Sequence, residues 1–115
     1  MNEKKILSLL GLCRRAGKLV SGNAKVEGAI QNGTALLVLI ASDASDNTKK
    51  KFTDKCMFYE VPHACVFSKD SLGSAIGYEE RAVTAVTDAG FADKLTGLME
   101  GAVQTRFETP EDDEM

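Results

Sequence analysis

The run "ALLVLIASDAS", residues 35–45, decides how the rest of the chain must fold. Ala35 to Ala41 are apolar without alternation, and the residues that follow are small or acidic. A strand covered on one face alternates apolar and polar side chains. An unbroken apolar run bounded by turn residues is instead a strand buried on both faces. Such a strand lies inside a layered domain, with helices on either side.

Reading towards the C-terminus, Ser45 or Asp46 caps a helix over residues 46–59, which helical spacing organises clearly. At 100° per residue, Thr48, Phe52, Cys56 and Tyr59 fall on one stripe about 80° wide, facing inwards. Lys50, Lys51 and Lys55 fall outside it, towards solvent. After Pro62, "HACVF" (63–67) is a short strand and "SKDSLGSAIG" (68–77) a helix capped by Ser68. "RAVTAVTD" (81–88) is rich in β-branched residues and reads as a strand. "AGFADKLTGLM" (89–99) reads as a last helix with Phe91, Leu95 and Leu98 inward.

Towards the N-terminus, "GNAKVEGAIQNG" (22–33) is a helix with Val26, Ala29 and Ile30 on one face. Ser21 or Asn23 is suited to cap its start, and Gly33 ends it. "KLVS" (18–21) is long enough only for a short strand. "EKKILSLLGLCRRA" (3–16) places Ile6, Leu9, Leu10 and Cys13 at helical spacing, with Gly17 fitted to a left-handed C-terminal cap. This alternation predicts an α/β fold: a three-layer α/β/α sandwich around a mixed sheet of about four strands. Residues 1–100 form one domain in this reading, and residues 101–115 an acidic C-terminal tail ending in a solvated "ETPEDDEM". In the rival reading of the tail, "VQTRFE" packs back on the body through Val103 and Phe107.

Composition narrows the functional classes. The chain has 115 residues, 43% of them hydrophobic and 27% charged, which is ordinary for a globular protein. No stretch approaches the ~20 apolar residues of a membrane span, and no signal peptide is evident. Cys13, Cys56 and Cys65 lack C-x-x-C spacing and read as reduced thiols of a cytoplasmic protein. His63 is the only histidine, so no metal site or catalytic triad is expected. There is no glycine-rich phosphate loop, because "GLCRRAG" follows a helix. Asp43 and Asp46 read as a capping pair, not as catalytic carboxylates. No enzymatic activity, cofactor or small-molecule substrate is expected.

The net charge of −3 conceals an uneven distribution. Residues 1–58 hold ten Lys and Arg against five acids, while residues 99–115 hold Arg106 against six acids. A basic half points to a polyanionic partner. Three segments are expected to converge at one end of the sandwich: Gly22–Lys25, Ser42–Asp43, and the loop "IGYEERA" (76–82). A helix N-terminus with unpaired N–H groups suits phosphate. Gly22 admits close approach, and Asn23 and Lys25 add donors. Asp43 suits the exocyclic amine of a base. Arg14, Arg15 and Lys18 extend the positive surface.

The order "GLCRRAGKLVSGNAKVEGAIQNGTALLVLIASDAS", "KKFTDKCMFYEVP", "LGSAIGYEERAVTAVTD" resembles the kink-turn-binding ribosomal protein family, of archaeal large-subunit protein seven-Ae type, and within it a bacterial YlxQ-like branch. The likeness spans about residues 6–95. It implies an α/β/α sandwich that binds structured, ribosomal RNA as a monomer, through the start of the second helix and the two loops named above. The RNA surface so implied comprises Lys18, Gly22, Asn23, Lys25, Asp43 and Arg81. The family's glycine matches Gly22, its aspartate Asp43, and its last-loop glycine and first glutamate Gly77 and Glu79. Its Asn–Glu pair falls on Ala24 and Lys25, and its later lysine on Gly28. The alternative is therefore a protein-interaction module on the same scaffold that has lost kink-turn specificity.

Overall fold

Strand β2 (Leu37–Ile40) is buried along its whole length, and its side chains divide between two cores. The structure, a computed structural model, describes residues 1–105. Because successive strand residues face opposite ways, Leu37 and Leu39 enter one cluster and Val38 and Ile40 the other. The first cluster is closed by α1 (Glu3–Arg15), α4 (Lys69–Ala75) and α5 (Ala89–Leu98), through Ile6, Leu10, Leu72 and Leu95. The second is closed by α2 (Asn23–Gln31) and α3 (Asp46–Tyr59), through Val26, Ile30, Phe52 and Cys56. Each such side chain removed from water contributes about 1.5–3 kcal/mol. The result is the three-layer sandwich expected of the sequence.

Three further strands complete a sheet of order β1-β4-β2-β3: β1 (Leu19–Ser21), β3 (His63–Cys65) and β4 (Val83–Val86). β4 is antiparallel to both its neighbours, and β2 runs parallel to β3, so the sheet is mixed. Four helices start on a side chain that accepts a backbone N–H: Asn2 for α1, Ser45 for α3, Ser68 for α4 and Asp88 for α5. Each such cap is worth about 1 kcal/mol. Gly17, at φ 74, turns the chain out of α1 as expected.

Two details bear on the sequence reading. Tyr59 does not complete the buried stripe of α3: it is 42% exposed, edge-on to Phe58, at the rim of the layer beside Leu36 and Pro62. The chain also remains attached beyond residue 100. Val103 packs against the first core, and Gln104 exchanges both backbone hydrogen bonds with His63. Pairing there covers part of the exposed edge of β3, which would otherwise offer unpaired N–H and C=O groups. Phe107 and the acidic end lie outside the described residues.

Two positions yield stability predictions. Thr84 pairs with Leu39 in the centre of the sheet, fully buried, and its hydroxyl has no hydrogen-bond partner among the described residues. Thr84→Val removes that desolvated oxygen and should raise stability by about 1 kcal/mol, seen as a higher urea midpoint. Gly73 lies where the chain folds back along α4: a Cβ there would sit 2.4 Å from the Glu80 Cα and 2.7 Å from its nitrogen. Backbone cannot yield as a flexible side chain does, so Gly73→Ala should destabilise by about 1–3 kcal/mol on the same measurement.

Candidate nucleic-acid interface

The ends of all four strands place the residues of interest. Ser21 ends β1 opposite Thr84, Ile40 ends β2 opposite both Val83 and Cys65, and so the chain leaves or enters every strand at one edge of the sandwich. Gly22, Asn23, Lys25, Asp43 and Arg81 are therefore brought to the same end. Lys18 is not. Its carbonyl accepts from the Thr87 N–H at the opposite end of β1, four extended residues or roughly 13 Å from Gly22.

The start of α2 is unlike the other four helix starts. Neither Ser21 nor Asn23 caps it. Gly22 holds the cap position at φ 93 and ψ 153, and no side chain accepts from the first turn. That backbone conformation is essentially restricted to glycine. Gly22 is fixed to the sheet by donating its N–H to the Val83 carbonyl (3.1 Å). The N–H groups of Asn23, Ala24 and Lys25 have no partner among the described residues. They carry the positive end of the helix dipole. Ser21 serves differently, its hydroxyl accepting from Nε of Arg81 at 3.2 Å.

A chain of hydrogen bonds ties the loops together. Asp43 Oδ1 accepts from the Lys69 N–H (2.8 Å), and the Lys69 carbonyl accepts from the Arg81 N–H (3.1 Å). Asp43 thus anchors the start of α4, while the cap of α3 is Ser45 and not Asp43. Ser42 donates both its N–H and its hydroxyl to the Phe67 carbonyl, and Lys49 Nζ reaches back to the Ser42 carbonyl at 3.2 Å. Arg81 is held by Ser21, by the Glu80 carbonyl and by the face of Tyr78, whose ring centroid lies 3.8 Å from the guanidinium carbon. Its Nη2 has no partner among the described residues.

Tyr78 also joins Arg14 to this end, a contact that sequence spacing does not disclose. The Arg14 guanidinium donates to the Tyr78 hydroxyl (3.3 Å) and lies 5.3 Å from the ring centroid. That hydrogen bond and the nearby charge, with a smaller contribution from Arg81, hold the phenol below its ordinary range. The geometry that allows this is local: Gly73 lets residues 78–81 lie on α4, and Gly77 turns the chain at φ 89.

The lysine run of α3 is mostly spoken for. Lys50 pairs with Asp54, while Lys51 and Lys55 both pair with Glu27 of α2, at 3.1 and 3.2 Å. Lys51 first and Lys55 second keep the Glu27 carboxyl below its usual range. These lysines brace α2 against α3 instead of facing only solvent. Lys25, Lys49, Arg14 and Arg81 make no ion pair with the described residues.

The groups suited to catalysis are placed elsewhere or chemically quiet. His63 is 4% exposed, with Nδ1 3.0 Å from the Val61 carbonyl. Burial pushes the Cys56 thiol up to about 12 and, with help from Asp88, the Cys13 thiol up to about 11. Neither is a thiolate at neutral pH.

Known proteins resemble this chain in sequence and in fold. The chain is 54% identical over 92 residues to "RNA-binding protein YlxQ" of Bacillus subtilis (strain 168), covering 80% of this chain and 92% of that protein. A solved Bacillus halodurans protein of unknown function aligns with a TM-score of 0.81 at 49% identity, covering 84% of this chain and 97% of that one. The Giardia lamblia 15.5kD RNA binding protein shares the fold, with a TM-score of 0.71 at 22% identity over 84% of this chain and 85% of that one. The model of the Ribosomal protein L7Ae/L30e/S12e/Gadd45 family matches residues 4–96, and the chain belongs to that family.

Proposed function

We propose that this protein is a non-enzymatic RNA-binding protein of the cytoplasm that acts as a monomer on structured, ribosomal RNA. The observation that carries the reading is the uncapped start of α2, whose open N–H groups share one end of the sandwich with Lys25 and Arg81. Phosphate is the ligand such a start suits, because it accepts several N–H bonds and complements the dipole. Nη2 of Arg81 adds a charged donor, and Lys25 and Lys49 add charge. Asp43, with Oδ1 committed to Lys69, keeps its second oxygen for the exocyclic amine of a base. Asn23 offers a side-chain amide at the same end. Lys18, at the far end of β1, contributes only through the general field. The name of the Bacillus subtilis relative agrees with this reading. No described helix is long and apolar enough to cross a membrane.

A kink-turn is the RNA shape that the family likeness suggests, although Ala24, Lys25 and Gly28 replace the family's own contact residues. Crosslinking the protein in cells and sequencing the attached RNA tests the function directly. Recovery of protein partners with no RNA would leave the scaffold as an interaction module.

Two binding experiments follow from the charges. Lys25→Glu should weaken RNA binding and lower the log–log salt slope by about 1, since a surface that neutralises one phosphate fewer releases fewer counterions. An unchanged affinity and slope would remove Lys25 from the surface. Deleting residues 106–115 takes away five acids and one arginine. The shortened protein should bind RNA more tightly at low salt, the two affinities converging at ~0.5 M salt as screening grows. A lower melting temperature with no gain in affinity would show that the segment is structural.

A further inference from the structure

We propose that the cleft between α1 and α4 is a second phosphodiester track, which carries RNA flanking the segment held at the sheet end. The proposal rests on the RNA-binding reading and extends it to a surface made by neither the α2 start nor the Asp43 loop. The cleft has a volume of about 820 Å³, and three cations of α1 line it, Lys4, Arg14 and Arg15, against one acid, Asp70. Lys4 and Arg15 make no ion pair with the described residues, unlike the lysines of α3 that pair with Glu27 and Asp54. Unpaired cations keep their full attraction for an incoming polyanion.

The floor of the cleft is built for close approach. Gly11 stands where a Cβ would meet the Ala75 carbonyl oxygen at 2.8 Å, so the two helices nearly touch there. Ser74 and Gly77 continue the floor with little side-chain bulk.

Spacing identifies the ligand. Lys4 and Arg15 are eleven residues apart on one helix, roughly 16 Å at 1.5 Å per residue. That span is too long for one phosphate group and suits successive phosphates of a strand. Continuity with the end of the sheet comes from Tyr78, whose ring contacts both Arg14 and Arg81. A strand leaving Arg81 therefore meets Tyr78, then Arg14, then the cleft.

The test compares two RNAs with the intact protein: a minimal kink-turn duplex, and the same duplex with a single-stranded extension. The variants are Lys4→Glu and Arg15→Glu, whose side chains make no hydrogen bond or ion pair with the described residues. The unaltered protein should bind the extended RNA more tightly than the minimal one. Each variant should forfeit most of that advantage and show a salt slope lower by about 0.7 for each phosphate no longer neutralised, the value for single strands. Affinity for the minimal duplex should change little. If the extension adds no affinity, or if both variants keep the advantage, the track does not exist while the sheet-end site stands. If the unaltered protein binds neither RNA, the kink-turn reading of the sheet-end site fails, and the track, which extends a strand from that site, fails with it.

Discussion

Everything in this molecule depends on β2 being apolar on both faces. Leu37 and Leu39 cannot be satisfied by the helices that cover Val38 and Ile40, so two separate helical layers must form. Once those layers exist, the chain has to cross the sheet repeatedly, and each crossing leaves a loop at one of two ends. Both faces of the sheet are consumed by packing, so polar groups can gather only at those ends and on the outer surfaces of the helices. The polar residues that a ligand needs are found where backbone enters or leaves the sheet, which agrees with the general tendency of functional groups to sit on loops held by a rigid scaffold.

The elements were readable from the residues because their signals are local. A two-sided strand, a 3.6-residue stripe and side-chain caps are each written within a dozen positions, and Ser45, Ser68 and Gly17 act as their types suggest. The site was only partly readable. Glycine as the cap of α2 runs against the usual preference, and Ser21 abandons the capping role for a guanidinium sixty residues away. The contact between Arg14 and Tyr78 spans sixty-four positions, and no local pattern encodes it. Lys18 shows the converse error: adjacency in sequence suggested adjacency in space, but a strand of three residues was enough to carry it to the other end.

Charge gives the same lesson at larger scale. A run of three lysines is the most conspicuous basic feature of the chain, yet two of its members are matched to acids of α2 and α3, Lys51 and Lys50 respectively. Less conspicuous cations, scattered as Lys4, Arg14, Arg15, Lys25 and Arg81, have no ionic partner among the described residues, and of the run itself only Lys49 shares that state. A surface is therefore better judged by its uncompensated charge than by its local density of lysine. Exposed pairs contribute little to stability, but they do lower the field that a distant polyanion experiences.

The position of β4 has a consequence for how the protein comes into being. This last strand lies between β1 and β2, so β1 has no neighbour in the sheet until residues 83–86 arrive. Before then only the parallel β2–β3 pair is available. During synthesis from the N-terminus the nascent chain holds half a sheet, with Gly22 lacking the Val83 carbonyl that fixes it and Ser21 lacking Arg81. Long-range strand insertion is a late and comparatively slow event in folding. An unfinished chain consequently lacks the contacts that fix the start of α2 and the Arg81 side chain, and that end of the sandwich is completed in the same step that closes the fold.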